Sequence, residues 1–264
     1  MPEGDTVWRS ARHLDRALSG SVLLETDFRV PAHATLDLSG EVVDATLARG
    51  KHLLTRIGAL TLHTHLKMEG AWHLYRPGSP WRRPAHEARV VLRTGDWTAV
   101  GFALGVVEVV PRDREDSVVG HLGPDLLGPD WDEDEALRRL RFDPGREVGD
   151  ALLDQRNLAG IGNLYKSELC FLAGVHPRLP VGEVPDLPRL VRRARAALDA
   201  NKERVEQTLT GDLRRGRQTW VYRREAQPCR RCGTTVRVGL QGPEGRERAT
   251  YWCPSCQPEP RPEG

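Results

Sequence analysis

Between residues 5 and 18 the apolar positions Val7, Ala11, Leu14 and Leu18 recur every three or four residues, and Gly20 follows as a stop. That spacing predicts a helix with one buried face. The period then shortens to β-rich runs parted by turn residues: SVLLETDFRV, EVVDATLA, HLLTRI, LTLHTHL, AWHLY, ARVVLRT, WTAVGF and GVVEVV. About eight close-spaced, hairpin-like strands predict an antiparallel sandwich or barrel over 21–110. After a Pro/Gly/Asp-rich stretch the pattern turns helical, with candidate helices over 132–141, 147–156, 163–173, 187–200 and 200–209. The loop LAGIGN separates two of them, and its Gly160 and Gly162 open backbone angles closed to other residues. Near the end, TTVRVGLQ and RERATYW form two β-like runs joined by Gly242-Pro243-Glu244-Gly245.

The fold class is therefore α+β and multidomain. An N-terminal helix lies on an antiparallel β-sandwich (1–112), followed by an acidic connection (113–135), a helical domain (136–222) and a hairpin module (223–258). The Pro/Glu-rich end, from 257 onward and set apart as a tail over 259–264, reads as disordered.

At 264 residues the chain suits one or two domains with a core that needs no disulfides. No window approaches the roughly 18 consecutive apolar residues of a membrane span. The start, MPEGDTVWRS, has acidic residues and no apolar region of the secretory kind, so a cytoplasmic protein is expected. A net charge of +2 decides little, but its distribution changes the picture. Residues 111–135 hold nine Asp/Glu against two Arg, whereas 201–264 hold 13 Lys/Arg against 8 Asp/Glu. A basic end after an acidic middle is what a polyanion contacted from one side requires.

Cysteine spacing is sharper. Cys229-x2-Cys232-x20-Cys253-x2-Cys256 places two knuckles about 20 residues apart, as tetrahedral thiolate coordination of zinc demands. A closed four-cysteine site is structural, so one Zn2+ per chain would pin the hairpin and present Arg230, Arg231, Arg237, Arg246 and Arg248. Such a hairpin suits phosphate contact. Cys170, between Leu169 and Phe171, reads as a packed helix residue; Trp220 and Tyr222 read as hairpin packing; His63, His65 and His73 read as ordinary sheet histidines.

Four separated segments now match one family. MPEG at the start, RGKHLL (49–54), DALLDQRNLAGIGNLYKSELCFLAGVHP (150–177) and the finger from Cys229 to Cys256 resemble the formamidopyrimidine-DNA glycosylase/endonuclease VIII family. The central block resembles its helix–two-turn–helix motif. MPEG rather than MPEL, and Trp72 in HLKMEGAW, resemble the endonuclease VIII branch more closely.

The resemblance implies a bifunctional DNA glycosylase/AP lyase that removes oxidised bases from double-stranded DNA and cuts by β,δ-elimination, acting as a monomer. It implies Pro2 as nucleophile, exposed when Met1 is removed. An α-amino pKa of about 7.7–8.0 leaves roughly a tenth of such an amine unprotonated at pH 7, against about one part in 2,500 for lysine. A secondary amine also forms an iminium, the electron sink elimination needs. Glu3 is implied in proton transfer at the deoxyribose, and Lys51 in contact with the lesion-flanking phosphate. Asn163 and Arg248 are implied as phosphate ligands, Met68 as the wedge that fills the emptied stack, and Lys67 and Glu69 as neighbours of the orphaned base.

Two departures bear on specificity. The family usually has a second glutamate where this chain has Asp5-Thr6, and TGDLRRGRQTW (210–220) is short for the loop that purine-lesion enzymes fold over the base. The first bears on base-specific proton chemistry, for which Asp5 could substitute, and leans towards a non-catalytic reading; the short loop points to oxidised pyrimidines such as thymine glycol or 5-hydroxycytosine rather than 8-oxoguanine. The alternative is a non-catalytic damaged-DNA-binding protein that keeps the clamp. Pro2-Glu3, irrelevant to binding alone, separates the two. A zinc module for protein contact would leave the first 177 residues unexplained.

Overall fold

The structure is a computed structural model describing residues 2–245 and 247–260; Met1, Arg246 and residues 261–264 of the expected tail lie outside the described residues. The chain separates into two compact units, Met1–His121 and Leu122–Gly264.

The first unit begins with α1 (Gly4–Leu18), whose Val7, Ala11, Leu14 and Leu18 are buried as the periodicity requires. Asp15 accepts the Thr46 N–H at 2.9 Å and ties the helix to a strand. All eight expected strands form. β1 (Glu25–Phe28), β6 (Ala88–Arg93), β7 (Thr98–Phe102) and β5 (Ala71–Tyr75) make one antiparallel sheet in the order β1-β6-β7-β5. β2 (Val43–Arg49), β3 (His52–Ile57), β4 (Leu60–His65) and β8 (Val106–Pro111) make the other, in the order β2-β3-β4-β8. Side chains from both sheets and from α1 share one core, including Leu14, Val43, Leu53, Leu62, Val90 and Leu92. A short helix α2 (Asp116–Val119) follows β8.

The acidic stretch 113–135 straddles the division between the units. Glu115 closes on Arg56 and Thr61 within the first, while Leu126 is fully buried in the core of the second.

The second unit packs α3 (Glu133–Leu140), α4 (Val148–Leu153), α5 (Asn163–Ala173) and α6 (Leu187–Asn201) around one apolar core. Asp132 and Asp186 cap α3 and α6 through their carboxylates. Two sequence expectations are corrected. The helix expected over 147–156 stops at Leu153, because Asp154 turns its carboxylate onto the Arg156 N–H and onto the guanidinium groups of Arg146 and Arg156. No helix forms over 200–209: the buried Asn201 amide donates to Ala197 and Thr208 carbonyls and accepts the Thr208 N–H at 2.8 Å, folding the chain back. A further correction concerns the end of the chain. Gln257 is buried and knitted to Cys253 and Val175 rather than disordered. β9 (Arg237–Gln241) and β10 (Arg248–Trp252) pair antiparallel as the expected hairpin. Among the described residues, no helix is long and apolar enough to cross a membrane.

Candidate functional site

In the first unit, Glu3 is the residue that starts α1, in extended conformation, with its carbonyl accepting the Val7 N–H. Its side chain is fully buried, and half-buried Pro2 directly precedes it. Asp5, also buried, accepts its neighbour's N–H from Thr6 at 2.7 Å.

Lys51 sits in the two-residue turn between β2 and β3, closed by the pairing of Arg49 with His52. Gly50 takes the positive φ of +57° that the first position of such a turn requires. The Lys51 charge reaches His52 and His65, contributing to the depression of both imidazoles.

The loop from Leu66 to Gly70 carries Lys67, Met68 and Glu69. It is held at both ends, Gly70 N–H bonding the Leu66 carbonyl at 2.9 Å and Arg83 reaching the Glu69 carbonyl at 3.0 Å. Gly70 is obligatory, since a Cβ there would stand 2.4 Å from the Leu66 carbonyl oxygen. Met68 is 59% exposed at the tip, not packed into the core.

In the second unit the phosphate candidates are brought together. The loop before α5 is stapled by Gln155, whose side chain bonds the Leu153 and Ile161 carbonyls and the Gly160 N–H. Gly160 takes φ +114°. Asn163 then opens α5, and its Nδ2 donates to the Ala249 carbonyl at 2.7 Å, beside exposed Arg248. Among the described residues, its buried Oδ1 has no partner.

Sequence reasoning missed what locks this arrangement. Lys166 is fully buried and donates from Nζ to Thr250 Oγ1 at 2.5 Å. Thr250 bonds the Gln241 side chain, which continues to Glu147 and the Pro177 carbonyl. These links rivet both hairpin strands to α5 and to the start of α4. Two residues further on, the fully buried Glu168 carboxylate accepts the N–H groups of Trp220, Val221 and Tyr222 at 2.7, 2.8 and 2.9 Å. A lysine and a glutamate inside the otherwise apolar run of α5 were the only signal of this.

Trp220 stacks on Phe171 and Tyr222 meets Tyr251 edge-on, which is packing. The segment 208–220 is braced internally: Thr210 Oγ1 bonds the Arg217 carbonyl, Leu209 N–H bonds the Gln218 carbonyl, and Trp220 Nε1 bonds the Leu209 carbonyl.

The four finger cysteines converge, with their sulfurs within 4.8 Å of one another. Separations of 3.5, 3.5 and 4.0 Å match the roughly 3.8 Å edge of a tetrahedron with metal–sulfur bonds of about 2.3 Å, so the donor set fits a metal ion. Among the described residues they are the only group of three or more His, Cys, Asp or Glu so placed. Cys170 is buried, with its thiol pushed up to about 12 by desolvation.

Two family models match the chain: the formamidopyrimidine-DNA glycosylase N-terminal domain over residues 1–103 and the formamidopyrimidine-DNA glycosylase H2TH domain over 122–207. The "Probable endonuclease 8 2" of Streptomyces coelicolor is 57% identical, covering 100% of this chain and 97% of its own. The "DNA-(apurinic or apyrimidinic site) lyase Nei2" of Mycolicibacterium smegmatis is 52% identical, covering 97% and 99%. Among solved structures, Lactococcus lactis formamidopyrimidine DNA glycosylase, bound to DNA containing an AP site, superposes with a TM-score of 0.80 at 22% identity, covering 98% of this chain and 100% of its own.

Proposed function

The chain belongs to the formamidopyrimidine-DNA glycosylase/endonuclease VIII family, on its endonuclease VIII branch, and from that premise we propose that it is a bifunctional DNA glycosylase/AP lyase of base excision repair. The observation that carries this reading is the buried carboxylate of Glu3 immediately after Pro2 at the head of α1.

With Met1 removed, the Pro2 nitrogen lone pair attacks C1′ of the damaged nucleotide, and the base leaves with the C1′–N bonding pair and takes up the proton that the attacking amine gives up. Glu3 protonates the ring oxygen as the sugar opens, giving the iminium. Loss of the C2′ proton then expels the 3′ phosphate by β-elimination, and loss of the C4′ proton expels the 5′ phosphate by δ-elimination. The positive iminium takes up the electrons released at C2′, which an ordinary sugar does not do. Water finally releases the sugar fragment from Pro2.

The second unit supplies phosphate binding. Asn163 at the start of α5 and the Arg248 guanidinium offer the helix-end and fork geometries that phosphate oxygens accept. Lys51 adds a cation at its turn, and Met68 serves as the wedge, flanked by Lys67 and Glu69 at the orphaned base. The four cysteines hold Zn2+, the ion suited to four thiolates. It would be structural, clamping the open end of the hairpin that carries Arg248, where β9 begins and β10 ends.

The short, internally braced segment 208–220 supports oxidised pyrimidines as the substrate class. The test is product analysis on duplexes carrying thymine glycol, 8-oxoguanine or an abasic site. Release of the pyrimidine lesion with phosphates at both ends of the gap is expected. Binding without release on any of the three would indicate a non-catalytic clamp.

A further inference from the structure

On the sheet containing β3 and β4, histidines line one face in register. His52 lies opposite His65, and His63 lies two residues earlier on β4. His63 is buried and engaged on both sides, with Nε2 2.8 Å from His52 Nδ1 and Nδ1 2.8 Å from Glu108 Oε2. The His52 ring stacks on His63 at 5.0 Å and meets His65 edge-on at 5.0 Å. His52 Nδ1 meets His63 Nε2 and His63 Nδ1 meets Glu108, so the rings form a ladder; among the described residues, the only cluster placed to share a metal ion is the four finger cysteines.

The ladder ends at the Met68 loop. His65 Nδ1 accepts the Lys67 N–H at 2.9 Å, a contact from residue i to i+2 that copies an Asx turn with an imidazole. Lys67 stands at φ +52°, a conformation that side-chain-bearing residues enter only at a cost. Its stem lies over Gly105, where a Cβ would stand 2.2 Å from Lys67 Cγ, and the Gly105 N–H bonds the His65 carbonyl at 3.0 Å. Burial first, then the charges of Lys67 and Lys51, push the His65 imidazole down to about 4 and keep the ring neutral at pH 7, and the Lys67 N–H makes Nδ1 its acceptor nitrogen.

We propose that His65 is the positioning residue of the Met68 loop: its Nδ1, braced through His52, His63 and Glu108, fixes Lys67 in the left-handed conformation and presents Met68 as a preformed wedge. The inference rests on the DNA-repair reading and deepens it. A wedge held in place before binding spends none of its contact energy on ordering a loop.

The test compares His65→Phe, which keeps a ring without an acceptor, with His65→Asn, whose Oδ1 can accept the same N–H. Each full-length protein is assayed for base release from a thymine glycol duplex and for cleavage of a single-stranded abasic oligonucleotide, which has no gap to fill. Insertion is read by the fluorescence of 2-aminopurine placed opposite a tetrahydrofuran abasic analogue. His65→Phe should lower duplex base release and the 2-aminopurine response about tenfold, the order expected for one lost hydrogen bond plus the strained φ it held. Single-strand cleavage should stay within about twofold of the parent, and His65→Asn should recover most of the loss.

Unchanged duplex activity in His65→Phe overturns the proposal. So does an equal loss on both substrates that His65→Asn does not repair, the mark of a purely structural residue. Should His65→Phe fold poorly, His65→Ala makes the same comparison without crowding. A parent protein that cleaves neither substrate would refute the enzymatic reading alone. The 2-aminopurine response would still decide the loop, a difference between His65→Phe and parent supporting the inference and equality overturning it.

Discussion

Single residues in this protein carry work that their sequence neighbours do not announce. His52 and His65 are the clearest case, because burial, joined by nearby positive charge, pushes their imidazoles down to about 3 and about 4. In the unfolded chain both take up a proton near 6.5. Between pH 6.5 and 4 the unfolded state therefore binds more protons than the folded one. Stability attributable to these histidines is full above 6.5 and is lost as the pH falls towards 4. The melting temperature of the parent should drop more steeply between pH 7 and 4.5 than that of a His52→Gln/His65→Asn variant, measured by scanning calorimetry. Parallel curves would show that the ladder is not titrating in this range. Glu168 works differently: one buried carboxylate gathers three successive N–H groups and so fixes the turn that leads into the finger.

At the scale of elements, periodicity carried most of the information. The helix face of Val7, Ala11, Leu14 and Leu18 and the eight β-runs were legible because each buries one side against a common core. The expected helix over 200–209 was not excluded by sequence, since Asn201 ends α6 through partners at Thr208 that only the folded chain brings near. The carboxylate at His63 was hidden for the same reason, Glu108 lying 45 positions away on β8. The cysteine knuckles were legible from spacing alone, whereas the Lys166–Thr250–Gln241–Glu147 chain that seats their hairpin was not.

That chain makes a prediction about the finger as a unit. Cys229→Ser should remove the metal and disorder β9 and β10, taking Arg248 away from Asn163. Zinc content should fall from one per chain to near zero, and DNA affinity should fall with it by at least tenfold. The helices and sandwich should keep their far-ultraviolet dichroism. Metal content unchanged in the variant would contradict the four-cysteine site.

For the molecule as a whole, the residues proposed for the chemistry lie in one unit, while those proposed to contact DNA are shared between both. Pro2, Glu3, Lys51 and the Met68 loop lie in Met1–His121, and Asn163, Arg248 and the cysteines in Leu122–Gly264. Loss of the finger should therefore weaken DNA binding without abolishing the amine chemistry at saturating DNA. Loss of Pro2 should do the reverse. The most direct measurement is borohydride trapping on an abasic duplex, with the adduct digested and its peptide identified by mass spectrometry, in the parent and in Pro2→Gly. A covalent adduct on an N-terminal peptide that begins at Pro2, reduced at least a hundredfold in Pro2→Gly, is the predicted result. An adduct on Lys51 or any other lysine, or one undiminished in Pro2→Gly, would contradict Pro2 as the nucleophile.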